Sequence, residues 1–286
     1  MANNHYAGQD ITTATLNVAQ AQIPVLGFGT YGMSGPKLQQ VLVEALKQGF
    51  RHIDTAQIYQ NEVDVGAAVR AAGIPRSEIF ITTKVWVGNY SPTKFASSVD
   101  QSLKTLQTDY IDLLLVHWPR GGAAIADQME GLNSAVESGK VRNIGVSNYI
   151  SEMFRAAAAL SRYPLIANQV EYHPFLDQTA LLAQIAASES SLMAYCSMAV
   201  GRVFKTELLN RIADGYQRSV AQVVLRWLIQ QLGVVALSRS ENIERIRLNT
   251  QIFDFVLEDD DMAAISSLHT PGSRIVDPRH LAPNWD

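Results

Sequence analysis

Short apolar runs alternate with amphipathic stretches along most of the chain. Residues 11–18 alternate Thr with apolar side chains, which predicts a hairpin or an edge strand, whereas residues 1–10 are polar and are expected to be loose. From residue 25 onward, apolar runs are separated by segments whose apolar side chains recur three and four positions apart, as they do in helices. We predict strands at 25–29, 50–54, 79–84, 111–117, 141–147, 165–170, 192–196 and 234–238. The predicted helices lie at 38–46, 62–71, 92–106, 126–138, 151–160, 178–187, 219–231 and 242–249.

This regular alternation is typical of a parallel sheet, and eight strands in one chain indicate closure into a (β/α)8 TIM barrel. No linker rich in Pro, Gly or Ser interrupts the series, so we predict a single domain over residues 1–286, with an extension and hairpin at 1–24. A short helix is predicted at 258–267. The tail at 269–286 contains three prolines and cannot form a barrel element, so we expect it to fold over one rim.

Composition narrows the function without changing the fold. The net charge is −4, and the basic residues are scattered without an aromatic-basic stripe, so we expect neither nucleic acid nor an anionic membrane as a partner. Cys196 is the single cysteine, which excludes an intrachain disulfide. The sequence contains no apolar run of about 18 residues and no recognisable leader. We therefore expect a cytoplasmic enzyme that acts on a small molecule. We also expect the protein to be a monomer.

Ionisable side chains stand at the ends of three successive predicted strands. Asp54, Lys84 and His117 end these strands, and Tyr59 follows in the loop after Asp54. The carboxyl ends of all barrel strands lie at one end of the barrel, so these side chains should converge. A tyrosine with a pKa of about 10 is a poor acid at neutral pH unless its anion is favoured, and the Lys84 ammonium could favour it. An ion pair with Asp54 would keep Lys84 charged, and His117 could orient a carbonyl oxygen beside the phenol.

Structural explanations exist for each of these residues taken singly. Asp54 could cap a loop, Tyr59 could be an ordinary buried aromatic, Lys84 a rim charge and His117 a satisfied core histidine. Another function also remains open, since a lysine at a strand end could form a Schiff base, as in a lyase.

A glycine pattern near the start of the series favours a competing interpretation, a Rossmann nucleotide-binding fold. Residues 27–32 match G-x-G-x-x-G after a strand, and Asp54 ends the next strand, as in the Rossmann fingerprint. That fingerprint requires the third glycine to open a helix whose N-terminus faces the pyrophosphate, and here residues 33–36 intervene before the helix. We expect these glycines instead to let the backbone approach a ligand.

The residues now described resemble the aldo-keto reductases, which reduce carbonyl compounds with NADPH on a (β/α)8 barrel. The matching motifs, GFRHIDTAQIYQNE, ITTKVW, LLLVHWP, VRNIGVSN, ANQVEYHP and LAPNWD, span nearly the whole chain in the family's order. LAPNWD, with Arg274 upstream, is most similar to the bacterial 2,5-diketo-gluconate reductase branch. The resemblance implies reduction of an aldehyde or ketone with Tyr59 as general acid. It further implies that Lys84 and Asp54 tune that acid and that His117 orients the substrate carbonyl. Because some barrels of this family serve chiefly as regulatory subunits, a non-catalytic protein that binds NADPH remains an alternative.

The resemblance also implies a set of cofactor contacts. The matching positions are Thr30, Ser147, Asn148, Gln169, Tyr195, Met198, Arg239, Ser240, Arg245 and Asn249. Within this set, Ser147, Asn148 and Gln169 correspond to residues that bind the nicotinamide carboxamide, and Tyr195 corresponds to the ring that stacks on the nicotinamide. Alternatively, Ser147 or Asn148 could cap the helix at 151–160.

The sequence departs from the family pattern near the expected phosphates. Residues 195–198 read YCSM where relatives usually read YSPL, and residues 237–240 read LSRS where they read IPKS. Arg239 and Arg245 keep positive charge there, and a guanidinium presents forked donors that suit a 2′-phosphate, which favours NADPH over NADH. Leu248 replaces a Glu that contacts adenine in many relatives. The alternative is a surface helix on which Arg245 and Arg247 serve only solubility.

The substrate pocket is expected to be aromatic. The resemblance assigns its lining to Tyr31, Trp86, Trp118 and Trp285, with His280 and Leu281 of the tail closing one wall. No Arg or Lys in these positions requires a carboxylate on the substrate. The histidines His52, His173 and His280 lack metal-ligand spacing with Cys or carboxylate partners, so we expect no metal.

Overall fold

The computed structural model describes residues 6–286, and the first five residues of the predicted N-terminal extension lie outside this range. The described chain enters through an antiparallel hairpin of β1 (Thr15–Val18) and β2 (Ala21–Pro24). Val18, Ala21 and Ile23 of this hairpin are buried in one apolar cluster with Phe80 and Met193 of the barrel interior. The predicted hairpin is therefore confirmed, and it covers the amino-terminal end of the barrel.

The next eight strands run parallel and form a closed barrel in chain order. They are β3 (Leu26–Gly29), β4 (His52–Asp54), β5 (Phe80–Val85), β6 (Ile111–Val116), β7 (Val141–Ser147), β8 (Leu165–Glu171), β9 (Ser191–Tyr195) and β10 (Val234–Ser238). Closure occurs because β10 pairs with both β9 and β3. The predicted (β/α)8 TIM barrel is confirmed, and each strand prediction lies within two residues of the observed bounds.

Helices surround this barrel and bury side chains against it. They are α1 (Gly35–Lys47), α2 (Glu62–Ala71), α3 (Pro92–Leu106), α4 (Ile125–Glu137), α5 (Ser151–Leu160), α6 (Thr179–Ala187), α7 (Glu207–Tyr216), α8 (Val220–Ile229), α9 (Ile243–Thr250) and α10 (Asp259–Ser266). In α1 the buried residues follow the helical spacing, being Leu38, Val41, Leu42, Ala45 and Leu46. Gly49 follows α1 in the left-handed region, with φ of 103°, a conformation that glycine adopts without steric cost.

Helix α7 is absent from the sequence prediction. It follows a 3-10 segment at Ala199–Lys205 and precedes α8, so two helices lie between β9 and β10. Leu209, Ile212 and Ala213 form its buried face. Short 3-10 turns also occur at Gln57–Tyr59, Arg76–Glu78 and Val87–Asn89.

The glycines at residues 27–32 do not form a dinucleotide fingerprint, because β3 belongs to the closed barrel and α1 starts only at Gly35. The expected approach of a ligand to the backbone at these glycines stays a prediction, and Gly27 also has a packing role. A Cβ atom at Gly27 would lie 2.6 Å from Leu237 and 2.7 Å from His52, so this glycine lets neighbouring strands pack closely. Gly32 has a positive φ of 73°, which a turn after the strand requires.

The chain after α10 forms an irregular tail, as predicted, and contains turns but no regular element in residues 269–286. Trp118 lies 6.4 Å from Trp285 of this tail, measured between ring centroids, so the tail reaches the carboxyl-terminal rim of the barrel. No helix in residues 6–286 has both the length and the apolar character needed to cross a membrane.

Candidate active site

A buried ion pair stands at the carboxyl-terminal end of the barrel. Lys84 Nζ lies 2.7 Å from Asp54 Oδ1 and donates a second hydrogen bond of 2.8 Å to the carbonyl oxygen of Thr55. The side chains of Lys84 and Asp54 are 1% and 5% exposed, so the pair is shielded from water and salt. Burial lowers the pKa of Lys84, and the Asp54 carboxylate opposes this effect. Lys84 is therefore not a rim charge, and the predicted ion pair is confirmed.

Tyr59 ends the 3-10 turn that follows β4, and its ring lies beside the ion pair. Lys84 Nζ is 5.1 Å from the centroid of the Tyr59 ring. Burial, followed by repulsion from the Asp54 carboxylate, raises the pKa of Tyr59 well above its ordinary value. This direction is opposite to the sequence expectation that Lys84 would lower it. The physical reason is that Lys84 directs its hydrogen bonds to Asp54 and Thr55, while removal of water from the phenol disfavours its anion.

His117 follows β6 and meets Tyr59 edge to face, with 5.7 Å between the ring centroids. Burial, together with the Lys84 charge, lowers the pKa of His117 well below its ordinary value, so the imidazole is neutral at physiological pH. Its Nδ1 atom is buried and has no hydrogen-bond partner among residues 6–286. His117 is therefore not a core histidine whose ring nitrogens are satisfied by the protein.

Aromatic rings extend from Tyr59 and His117 across the predicted substrate side. Tyr31 contacts Tyr59 at 5.1 Å, and Trp86 contacts His117 at 5.4 Å, both edge to face. Trp118 stacks on His117 at 6.5 Å and meets Trp285 of the tail. The four aromatic residues predicted from the sequence are thus brought together. His280 of the tail is exposed and lies outside this series of ring contacts, and Leu281 is half-buried.

The residues expected at the nicotinamide also converge beside the ion pair. Ser147 Oγ donates to the backbone oxygen of Gln169, and Gln169 Nε2 donates to Asp54 Oδ2 at 2.6 Å. Asn148, at a positive φ of 64°, donates to the backbone oxygen of His117 and accepts from the Tyr195 hydroxyl at 2.7 Å. The residue that caps α5 is Ile150 and has no side-chain cap bond, so the capping alternative for Ser147 or Asn148 is wrong.

The arginines expected at the phosphates lie on the loop and helix after β10. Arg239 donates from Nε to the Tyr31 backbone oxygen at 3.1 Å and from Nη2 to Glu241 at 2.7 Å. Arg245 is exposed, and none of the ion pairs formed within residues 6–286 includes its guanidinium. The Ser240 hydroxyl donates to the Asn242 carbonyl at 3.3 Å.

The remaining predicted cofactor contacts have structural partners of their own. Thr30 is fully buried and donates both its N–H and its hydroxyl to the backbone oxygen of Asp54. Asn249 donates to the Ser238 hydroxyl at 2.9 Å, which ties α9 to β10. Met198 is half-buried in the loop after β9.

Two polar residues to which the sequence prediction gave no role also organise this end of the barrel. Gln57 accepts hydrogen bonds from Trp86 N and Asn89 Nδ2, both at 2.9 Å, and donates to Ser98 and Ser102 of α3 at 3.2 Å. It therefore links the turn that ends in Tyr59 to the backbone of Trp86. The other residue is the buried Glu171 at the end of β8, within the ANQVEYHP motif, whose position at a strand end is the signal that could have singled it out. Across residues 6–286, no group of three or more His, Cys, Asp or Glu side chains is arranged to hold a metal ion.

Comparison with known sequences identifies the family. The profile of the Aldo/keto reductase family matches residues 25–270. Methylglyoxal reductase DkgB of Salmonella typhi is 37% identical over 267 residues, which cover 92% of this chain and 99% of that protein. An aldo-keto reductase of Mycolicibacterium smegmatis is 39% identical over 269 residues, which cover 94% of this chain and 94% of that protein.

Comparison of structures agrees with the sequences. A crystal structure described as a 2,5-diketo-D-gluconic acid reductase B superposes with a TM-score of 0.94 and is 48% identical, over 95% of this chain and 97% of that one. The Bombyx mori aldo-keto reductase in complex with NADP superposes with a TM-score of 0.87 at 28% identity, over 95% of this chain and 98% of that one. The chain therefore belongs to the aldo-keto reductase family, whose members are oxidoreductases that act on carbonyl compounds.

Proposed function

We propose that this protein reduces aldehydes or ketones to alcohols with NADPH and that Tyr59 is the general acid. The single observation that supports this most strongly is a phenol and a neutral imidazole side by side over a buried ammonium–carboxylate pair. A proton donor must hold its proton until the transition state, and the raised pKa of Tyr59 keeps the phenol protonated at neutral pH.

The residues near this pair fit a nicotinamide cofactor. Gln169 uses its amide nitrogen on Asp54, so its amide oxygen is left to accept a hydrogen bond from a carboxamide. Ser147 and Asn148 would hold the same group, and Tyr195 would stack on the ring. When bound, the reduced nicotinamide supplies the hydride. After β10, Arg245 and Arg239 are the groups that would bind a 2′-phosphate, which supports NADPH as the preferred cofactor.

The protein's own groups divide the proton chemistry between them. The neutral His117 can donate a hydrogen bond to a substrate carbonyl oxygen and fix it beside the Tyr59 hydroxyl. As negative charge develops on that oxygen, Tyr59 gives up its proton. Lys84, at 5.1 Å from the ring, then stabilises the phenolate charge that forms. Asp54 holds Lys84 in place and in its charged form.

The same ion pair argues against a Schiff-base lyase. A nucleophilic lysine must present a neutral amine to the substrate, whereas Lys84 is 1% exposed and bonded to a carboxylate and a carbonyl oxygen. The aromatic walls suit an uncharged or small carbonyl compound. Because one relative is named a methylglyoxal reductase and a similar structure is described as a 2,5-diketo-D-gluconic acid reductase, we propose small dicarbonyl compounds as the substrate class.

The decisive test replaces Tyr59 by Phe. We expect Tyr59→Phe to lose about 10²–10⁴-fold in turnover of methylglyoxal, the usual contribution of general acid catalysis, while NADPH binding stays nearly unchanged. The matched control is Tyr163→Phe, which removes a hydroxyl from an exposed ring between α5 and β8, outside the candidate active site, and should leave turnover within a few-fold. Turnover is followed by the loss of NADPH absorbance, with NADH in parallel.

Two outcomes would contradict the proposal. If Tyr59→Phe keeps more than about a tenth of the turnover, Tyr59 is not the acid. If the unaltered protein binds NADPH but turns over no carbonyl compound in a broad panel, the barrel serves as a non-catalytic nucleotide-binding protein.

A further inference from the structure

The last residue of β8, Glu171, holds the C-terminal tail from inside the protein. Its carboxylate accepts hydrogen bonds from the backbone N–H groups of Ile275, at 2.8 Å, and Val276, at 2.7 Å. His173 Nε2 lies 2.9 Å from the same carboxylate. Glu171 and His173 are both fully buried, although the tail residues that Glu171 holds have no regular structure. A buried carboxylate is costly unless it is fully bonded, so this arrangement specifies where the tail crosses β8.

The part of the tail that Glu171 fixes also carries one wall of the pocket. The Arg274 guanidinium stacks on the Trp285 ring at 3.6 Å, and Trp285 Nε1 donates to Asp277 at 2.9 Å. The residues on either side of Ile275 and Val276 thus hold Trp285, which in turn meets Trp118 of the aromatic wall.

The far end of the tail has a second anchor of a different kind. Asp286 Oδ2 accepts hydrogen bonds from the backbone N–H of Ser151, at 2.9 Å, and from its hydroxyl, at 2.7 Å. This anchor is exposed, whereas the anchor at Glu171 is buried. Hydrogen bonds in water contribute less than those shielded from it, so the buried anchor should dominate.

The charge on Glu171 persists at neutral pH. Burial alone would raise its pKa, but the hydrogen bonds from His173, Val276 and Ile275 outweigh burial, and the pKa of Glu171 is lowered. Glu171 is also the register partner of Tyr195 on β9, the residue expected to stack on the nicotinamide. The tail is therefore held by a group that borders the cofactor side of the site as well as the substrate side.

We propose that Glu171 is a positioning residue for the substrate pocket, which fixes the backbone at Ile275 and Val276 so that Trp285 closes one wall. It touches neither the reacting atoms nor Trp285 itself and acts through the tail. Its effect should fall on the binding of substrates large enough to reach Trp285, and the chemical step should be unaffected. The effect on substrates rests on the proposed function, whereas the anchoring of the tail does not.

The experiment uses Glu171→Gln, which keeps the shape of the side chain but replaces one acceptor oxygen by an amide donor. We expect faster hydrogen–deuterium exchange in tail peptides that contain Ile275 and Val276. We also expect KM for 2-naphthaldehyde to rise roughly tenfold, as a charge-assisted contact is lost, with kcat within twofold. KM for methylglyoxal, which is too small to span the pocket, and the Kd for NADPH should stay within twofold.

Two further variants calibrate this result. Asp286→Asn weakens only the exposed anchor and should produce a smaller change in the same direction. Glu152→Gln removes an exposed negative charge from α5 next to Ser151, is not part of either anchor, and should change neither exchange nor KM. If Glu171→Gln does not fold, Glu171→Asp decides, because it keeps the charge but withdraws the carboxylate from the two N–H groups.

Unchanged exchange of the tail amides in a folded Glu171 variant would overturn the anchoring. Equal effects on the KM values of both aldehydes, with only a lower Tm, would show that Glu171 serves stability alone. If no aldehyde is reduced even by the unaltered protein, the proposed function fails, yet the exchange measurement still reports on the anchor.

Discussion

The preference for NADPH can be tested with a substitution that is expected to strengthen NADPH binding. Arg239, one of the two arginines assigned to the 2′-phosphate, is bonded at 2.7 Å to Glu241 of its own loop. A phosphate that approaches Arg239 must displace this carboxylate or share the guanidinium with it. We therefore expect Glu241→Gln, which removes the charge and keeps the size, to bind NADPH more tightly.

The exposure of the pair sets the magnitude. The side chains of Arg239 and Glu241 are 45% and 47% exposed. Ion pairs with that much contact with water are worth about 0.2–1 kcal/mol, which corresponds to a roughly 1.4- to 5-fold decrease in the Kd for NADPH. Repulsion between Glu241 and the phosphate adds to the effect at low salt, since charges are screened beyond about 8 Å at physiological ionic strength. NADH has no 2′-phosphate, so its Kd should not change.

The assay is a titration of tryptophan fluorescence with each dinucleotide, at low salt and at a salt concentration several times higher. The matched control is Glu244→Gln, which removes the same charge from α9 but frees Arg247, its partner in an exposed pair. The role of Arg239 is supported if Glu241→Gln binds NADPH more tightly, Glu244→Gln does not, and the gain is smaller at high salt. An equal gain for NADH, or an equal gain in the Glu244 variant, would refute the reasoning.

The remaining predictions concern the other arginine and the dependence of stability on pH. Arg245→Ala should raise the Kd for NADPH roughly ten- to a hundredfold, because a contact worth about 1.5–3 kcal/mol is lost, and should leave the Kd for NADH unchanged. Arg239→Ala should raise the Kd for NADPH by a smaller factor, because the Arg239 guanidinium is already shared with Glu241. The same fluorescence titrations measure both variants. Burial lowers the pKa of His52 to about 4 and that of His117 well below its ordinary value. Unfolding therefore takes up protons below about pH 6.5. The free energy of unfolding, measured by urea titration, should fall as the pH is lowered from about 6.5 toward 4, and it should fall less steeply in His52→Gln. A free energy of unfolding that does not change over this range would contradict neutral buried histidines.

The barrel could be predicted because its signal is repeated. Strands such as β6 are buried on both faces and read as apolar runs, and helices such as α1 show the spacing of one buried face. Helix α7 was missed for a different reason. Leu209, Ile212 and Ala213 have helical spacing, but the regular alternation required only one helix between β9 and β10, and that expectation took precedence over the local pattern.

The site was predictable where geometry follows from topology. Asp54, Lys84 and His117 end neighbouring strands, and parallel strands in a barrel must bring their ends together. The direction of the Tyr59 pKa shift was not predictable, because it depends on how much water the folded rim excludes. The role of Glu171 was hidden as well, since an irregular tail leaves no periodic signal of where it crosses the barrel.

The hairpin of β1 and β2 makes the two ends of the barrel different, because it covers only the amino-terminal end. Because Ile23 and its neighbours cover the amino-terminal end of the barrel, we expect the proposed cofactor and substrate to enter and leave at the opposite rim. Burial raises the pKa of the native Cys196 to about 11, so its thiol is a weak nucleophile at neutral pH. A Gln20→Cys substitution on the exposed hairpin turn would therefore offer a selective handle for coupling the protein to a support, with the reactive rim facing the solution.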